Sequence, residues 1–207
     1  ISVFLLQGII FYNFVTPEFN VNIAQIPFWA LTVYYFWQSF KSDKVTNWIL
    51  FGFFAALGVL SKYLFVYLLI GIITFFVFNK KKKIFFNFKY FIPVIIFLIV
   101  LTPHLMWLVD NDYKTITYGL KRTGIENGNS FDHLFYPLKF VFQQIGILIP
   151  FFVLLRLTLK NFKFKLKFRD EKLFYLTSIT FVPILLMLVT SIVLGANIRT
   201  MWMTPFY

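Results

Sequence analysis

Apolar stretches of helix length alternate with short polar breaks along the chain. The seven stretches lie at about 1–15, 21–40, 48–60, 63–78, 88–107, 138–156 and 173–194. A helix needs roughly 20 residues to cross the hydrocarbon core of a bilayer, and most of the stretches approach that length. The pattern predicts an all-α polytopic transmembrane helical bundle with about seven membrane segments. We expect a single domain over residues 1–207 with a long loop at about 108–137.

Composition narrows the class of protein. Hydrophobic residues make up 59% of the 207 positions and charged residues 14%, against about 25% charged residues in an ordinary soluble domain. A soluble core of this size could not cover so much apolar surface, which excludes a soluble enzyme and a disordered chain. The chain has no Cys, which excludes disulfides, thiolate catalysis and Cys-ligated metals. Because it begins at Ile1 within an apolar run, we interpret it as an internal fragment of a longer protein.

The distribution of charge predicts the topology. If each stretch crosses the membrane once, the breaks fall alternately on two sides. One side carries 14 basic and 3 acidic residues, and the other carries 6 basic and 5 acidic residues. The positive-inside rule places the first side in the cytoplasm and the second on the exoplasmic side. The net charge of +12 is then explained by contacts with anionic lipid headgroups, and no nucleic-acid partner is predicted.

The break at Ser61 and Lys62 allows two interpretations. Stretches 48–60 and 63–78 either form a tight hairpin or join into one bent helix of about 30 residues. The bent helix would put the Lys80–Lys83 run and the basic run at 156–172 on opposite faces of the membrane. We therefore favour the hairpin.

The predicted exoplasmic side gathers polar residues that are costly in so apolar a chain and often mark functional sites in membrane proteins. They are Glu18, Asn20, Asn22, Lys62, Tyr63, Asp110, Asn111, Asp112, Lys121, Arg122, Glu126, Asp132, His133 and Arg199.

Four of these residues have both a structural and a functional interpretation. Lys62 either extends its ammonium to the membrane surface as an anchor or binds the phosphate of a lipid or a sugar diphosphate. Tyr63 is either an interfacial aromatic residue or part of that site. Arg122 and Arg199 either form surface salt bridges or bind a phosphate leaving group, for which the guanidinium fork is suited.

The polar residues before the second apolar stretch have similar alternatives. Asn20 or Asn22 can cap the helix that follows. Glu18 can face an active-site cavity, where its carboxylate would act as a general base or orient a hydroxyl nucleophile.

No cofactor is evident, and a divalent metal, although compatible with the sequence, is not indicated. Asp110 and Asp112 are typical of a solvated helix exit, because a hard cation needs more oxygen ligands than two carboxylates offer. His104 and His133 have no partners at metal-ligand spacing, and the sequence has no Gly-rich phosphate loop.

Several stretches, in this order, resemble one family of membrane enzymes. They are 27–35 (PFWALTVYY), 52–63 (GFFAALGVLSKY), 103–107 (PHLMW), 118–122 (YGLKR) and the Gly195–Arg199 stretch. The most specific is the small-residue helix that ends in Leu-Ser-Lys-Tyr. Over roughly residues 13–207 the chain is similar to the bacterial glycosyltransferase family 39 group. That group includes protein mannosyltransferase-like and lipid A aminoarabinose transferase-like proteins of the GT-C superfamily.

The resemblance implies a function and a location. The protein would transfer a sugar from a polyprenyl-phosphate donor to a lipid or glycan acceptor, at the exoplasmic face of the bacterial inner membrane. Substrate contacts would come from Asn22, Lys62, Tyr63, Arg122 and Arg199.

The chain also departs from the family pattern. The family's usual catalytic acidic residue lies in a loop that would precede residue 1. A second acidic position falls on Asn22 here, so either Glu18 takes over that role or the site uses an amide. Leu108, Asn111 and Tyr113 stand where the family often has Asn, His and Trp, which leaves the identity of the donor or acceptor open.

Two other functions fit the same features. A non-enzymatic transporter or flippase of polyprenyl-linked sugars would use the same cations, although the sequence has no convincing internal repeat of the kind that transporters often show. A structural membrane subunit would have no site at all.

Overall fold

The computed structural model describes residues 2–13, 17–79, 87–125, 129–159 and 170–207, and within these ranges it is all-α, without strands. The described α-helices are α1 (Ser2–Leu6), α2 (Val21–Ser42), α3 (Val45–Ser61), α4 (Val66–Phe78), α5 (Phe91–Asp110), α6 (Lys114–Thr123), α7 (Asp132–Thr158) and α8 (Glu171–Leu194). Short 3-10 helices lie at Ile10–Tyr12, Tyr63–Phe65, Phe88–Tyr90 and Thr200–Phe206. The predicted fold class is confirmed.

Among the described residues, three segments are long and apolar enough to cross a membrane by themselves, namely Phe88–Asp110, Asp132–Thr158 and Glu171–Leu194. Val45–Ser61 and Tyr63–Phe78 are shorter apolar helices. The chain is therefore a multi-pass membrane protein.

The two shorter helices form the predicted hairpin. Trp48 near the start of α3 and Phe76 near the end of α4 both pack on the ring of Tyr90, with centroids 5.3 and 5.0 Å away. These contacts require α3 and α4 to run antiparallel. The alternative of one long bent helix is wrong.

Charged and polar residues join three connections at one end of the bundle. Lys89 Nζ forms an ion pair with Asp43 Oδ2 at 2.8 Å. Glu171 forms an ion pair with Lys41 and accepts a hydrogen bond from Nδ2 of Asn79 at 2.9 Å. The breaks after α2, α4 and α7 therefore share one end, as the predicted alternation requires. The Lys80–Lys83 run and the basic residues at 160–169 lie outside the described residues.

Two predicted segments differ in the structure. The range predicted as a loop at 108–137 contains the end of α5, all of α6 and the beginning of α7. In α6, Ile116 and Leu120 stand one turn apart among polar residues, which is the pattern of an amphipathic helix.

The stretch at 1–15 also contains less helix than predicted. Its described part contains α1, a turn and one 3-10 helix. The helix is interrupted near Gly8, whose Cα lies against the backbone of Phe151 in α7. A Cβ on Gly8 would be only 2.5 Å from the Phe151 Cα. Ile9 and Phe11 are instead buried against the segment after α8.

Close backbone contact fixes the hairpin in the bundle. A Cβ on Gly52 of α3 would lie 2.4 Å from the carbonyl oxygen of Pro93 in α5, so the missing side chain lets these helices approach. Phe36 of α2 packs against Trp48 of α3 and Phe75 of α4. This packing places the hairpin tip, at Lys62, at the opposite end from Glu171.

Candidate functional site

The break between α3 and α4 brings Lys62 onto the first turns of α2. The backbone of Lys62 is extended, with φ −165° and ψ 131°. Its Nζ donates a hydrogen bond to Oδ1 of Asn22, a side chain that is buried. Gln25, also buried, donates from Nε2 to the Lys62 carbonyl oxygen at 3.3 Å. Two buried amides thus hold both the charge and the backbone of Lys62.

An aromatic ring and a second cation complete the surroundings of the Lys62 ammonium. Nζ lies 5.2 Å from the centroid of the Trp202 ring, which is a cation–π distance. Burial lowers the pKa of Lys62 to about 7, and the like charge of Arg122 adds to the effect. An anion beside Lys62 would favour the charged form and raise this pKa. The arrangement is therefore suited to binding an anion.

Helix α6 lies over this end of the bundle, and none of its side chains is buried. Thr115 Oγ1 is 2.6 Å from the Tyr63 hydroxyl. At the other end of α6, the Thr123 carbonyl accepts a hydrogen bond from the Asn197 backbone N–H at 2.9 Å. Arg122 is exposed and donates to the Tyr118 hydroxyl at 3.1 Å. Contacts near both ends of α6 therefore hold Arg122 close to the hairpin tip.

The segment after α8 returns to the same place. Gly195 ends α8 with φ +59°, a conformation that favours glycine. Arg199 is exposed and precedes the 3-10 helix that carries Trp202, whose backbone N–H donates to the Arg199 carbonyl at 2.9 Å. The Arg199 side chain makes no hydrogen bond or ion pair within the described ranges. The Arg199 backbone, however, is hydrogen-bonded to Trp202, whose ring lies against the Lys62 ammonium.

The two Asn residues at the start of α2 have different roles. Asn20 is the N-cap, because its Oδ1 accepts from the backbone N–H of Asn22 at 2.9 Å and of Ile23 at 3.4 Å. The Asn22 side chain binds Lys62 instead. Glu18 is exposed, and in the described part of the chain only its carbonyl oxygen is bonded, by Asn20 Nδ2 at 2.9 Å.

The remaining sequence candidates do not join this cluster by any contact in the described ranges. Asp110 and Asp112 are exposed at the end of α5. His133 Nδ1 lies 2.8 Å from the carbonyl oxygen of Ile192. Glu126 lies outside the described residues. Among those that are described, no group of three or more His, Cys, Asp or Glu side chains could hold a metal ion.

Sequence reasoning missed four residues that surround Lys62 and Tyr63, one of which is Thr115 of α6. Gln25 follows Asn22 at a spacing that puts both on one face of α2, so a signal for it existed. His104, noted in the sequence only as part of the 103–107 stretch and as a histidine without metal-ligand spacing, has its Nε2 2.7 Å from the Tyr63 hydroxyl. Trp202 reaches Lys62 through a long-range contact that no local pattern indicates.

Comparison with known proteins supports the predicted resemblance. Residues 1–107 match the model of the family described as dolichyl-phosphate-mannose-protein mannosyltransferase. The match covers just over half of the chain and includes Asn22, Lys62, Tyr63 and His104, but not Arg122. Beyond residue 107 the resemblance stays a prediction. No curated protein and no solved structure matches the chain.

Proposed function

The chain belongs to the family of dolichyl-phosphate-mannose-protein mannosyltransferases, and on that basis we propose how this membrane glycosyltransferase works. It moves a sugar from a polyprenyl-phosphate donor to a lipid or glycan acceptor, at the exoplasmic face of the bacterial inner membrane. The observation that carries this proposal is the Lys62 ammonium, held by buried Asn22 against the ring of Trp202.

The reaction places negative charge on the leaving group. A bond forms from the acceptor hydroxyl oxygen to the anomeric carbon of the sugar, while the bond from that carbon to the phosphate oxygen breaks. The electron pair of the broken bond leaves with the polyprenyl phosphate. Fixed cations in a site shielded from water stabilise such developing charge most effectively. Lys62 is the main phosphate ligand in this proposal, with Arg122 and Arg199 beside it.

The other candidates complete the site around the phosphate, the sugar and the acceptor. Tyr63 contributes its hydroxyl to the donor phosphate. Asn22 positions Lys62 and lines the sugar pocket. Glu18, exposed two residues before the cap of α2, is the candidate within this chain for taking the acceptor proton.

Rates of sugar transfer in the purified protein test the proposal. We expect Lys62→Ala to slow transfer about 100-fold, because removing one donor to a developing anion typically costs that much. Arg199→Ala should slow transfer about tenfold, because the Arg199 side chain is exposed and its charge is screened by solvent and salt. Lys121→Ala removes an exposed cation from α6 and should leave the rate unchanged. Wild-type rates for both Lys62→Ala and Arg199→Ala would overturn the proposal. Movement of donor lipid across the bilayer without sugar transfer would favour the flippase.

The face of the membrane needs its own test. Because the chain has no Cys, Asn87→Cys and Asp112→Cys each introduce a unique thiol at opposite ends of the bundle. A membrane-impermeant maleimide applied to intact spheroplasts should label the cysteine at position 112 and leave the one at 87 unlabelled. The reverse pattern would place the site on the cytoplasmic face.

A further inference from the structure

A chain of three hydrogen-bonding side chains centres on the Tyr63 hydroxyl. This hydroxyl lies 2.7 Å from Nε2 of His104 and 2.6 Å from Oγ1 of Thr115. The three residues come from the hairpin tip, α5 and α6. The His104 ring stacks on Trp107, with centroids 5.9 Å apart and planes at 13°. This stacking restrains the plane of the imidazole whose Nε2 faces Tyr63.

A count of protons shows that the hydrogen bonds of His104, Tyr63 and Thr115 can run in either of two directions. A neutral imidazole has one N–H, and each of the two hydroxyls has one O–H. In the first direction Thr115 donates to Tyr63 and Tyr63 donates to Nε2 of His104. In the second, the Nε2–H of His104 donates to Tyr63, and the Tyr63 proton points to Thr115. Only the second direction leaves the Tyr63 proton free to turn toward an anion while the bond to His104 stays intact.

The three hydrogen-bonded side chains lie near the two cations, Lys62 and Arg122. Tyr63 follows Lys62 directly. Thr115 and Arg122 are seven residues apart in α6 and therefore lie on the same face of that helix. The face that contacts the Tyr63 hydroxyl is thus the face that directs Arg122 to the Lys62 side. A phosphate held by Lys62 and Arg122 would therefore lie at the same end of the bundle as the Tyr63 hydroxyl.

We propose that His104 is a positioning residue that fixes the Tyr63 hydroxyl as a hydrogen-bond donor to the phosphate of the lipid-linked donor. This inference rests on the proposed function and adds a residue to it. His104 acts only through Tyr63: its Nε2–H occupies the acceptor side of the phenol oxygen, so that the Tyr63 proton is given to the phosphate. Thr115 accepts that proton when no anion is bound.

Binding of a matched pair of ligands by the protein in lipid nanodiscs tests the inference. The pair is farnesyl-phosphate mannose and farnesyl mannoside, which lacks only the phosphate. Tyr63→Phe should weaken the phosphate ligand about tenfold, the size expected for one hydrogen bond to a charged group. His104→Phe should do the same. Neither variant should change the affinity for the mannoside.

Two further variants separate positioning from packing. The double variant with Phe at positions 63 and 104 should bind no more weakly than Tyr63→Phe, because residues that act through one another are not additive. His104→Gln should keep wild-type affinity within about threefold, since an amide N–H can replace the imidazole donor. A loss of about 100-fold in the double variant, or equal weakening of both ligands by His104→Phe, would overturn the inference.

Lys62→Ala distinguishes this inference from the proposed function. If Lys62→Ala abolishes the preference for the phosphate ligand and His104→Phe keeps it, only the role of His104 is wrong. If Lys62→Ala itself keeps the preference, the phosphate site is wrong and the role of His104 falls with it.

Discussion

Lys62 makes donor binding depend on pH in a direction that its surroundings determine. Burial and Arg122 lower the pKa of Lys62 to about 7, so the free site is mostly charged at about pH 6 and mostly neutral at about pH 8. Only the charged form pairs with a phosphate, and the phosphate raises the pKa of Lys62 in the complex. Affinity for the lipid-linked sugar donor must therefore weaken as the pH rises through about 7, because a neutral Lys62 has to take up one proton when the donor phosphate binds.

The size of the effect follows from the same pKa. The apparent Kd is the intrinsic Kd multiplied by one plus the ratio of neutral to charged Lys62. This factor is about 1 at pH 6 and about 11 at pH 8, so the Kd should rise about tenfold over that interval.

Titration calorimetry with farnesyl-phosphate mannose and the protein in nanodiscs measures both Kd and proton uptake. The ligand is a phosphodiester with a single charge throughout this range, so it does not titrate itself. Lys62→Arg stays charged and should show a Kd independent of pH. His104→Gln, which removes the imidazole facing Tyr63, should keep the tenfold change. A Kd that is constant or falls as the pH rises, or an equal dependence in Lys62→Arg, would refute the reasoning.

Three predictions concern the free energy of unfolding, measured by thermal or denaturant unfolding in detergent. Lys62→Met should be more stable than wild type by ~1–3 kcal/mol at about pH 7. The gain should vanish toward pH 10, because between these two pH values the unfolded wild-type chain still carries the Lys62 proton that the folded site has released. Lower stability of Lys62→Met at pH 7 would contradict the burial argument. Gly52→Ala should lose ~1–3 kcal/mol through overlap with α5, whereas Gly119→Ala, with nothing within 4 Å of the added Cβ, should be neutral or gain up to ~1 kcal/mol; equal effects would show that the α3–α5 contact is wrong. Glu171→Ala removes both the ion-pair partner of Lys41 and the oxygen that accepts from Asn79, and should lose ~1–2 kcal/mol. Exposed Glu18→Ala should change stability by less than ~0.5 kcal/mol. A neutral Glu171→Ala would remove the role of that cluster.

The fold was predictable where it depends on quantities that the sequence carries locally. The lengths of the apolar stretches predict the helices, and the bias of Lys and Arg between the breaks predicts the hairpin at Lys62. Helix α6 was missed because its polar residues and short length resemble a loop, and only Ile116 and Leu120 indicate an amphipathic helix. The first stretch is apolar throughout, but the close approach of Gly8 to α7 is a tertiary contact that hydropathy does not record.

The candidate site was predictable only in part, for a similar reason. Lys62 stood out because a cation between two apolar stretches is costly. The partners that hold it come from the start of α2 and from the segment after α8, and such pairings depend on how the helices pack. Asn22 was identified, although its contact with Lys62 was not. Trp202 lay within an apolar segment with nothing to mark it.

The most direct test of the phosphate site is a structure of the protein with farnesyl-phosphate mannose bound. The account predicts the phosphate within ion-pair distance of Lys62 Nζ, about 4 Å or less, with Tyr63 and Arg122 beside it. A phosphate bound elsewhere, with Lys62 still paired only to Asn22 and Trp202, would contradict the account.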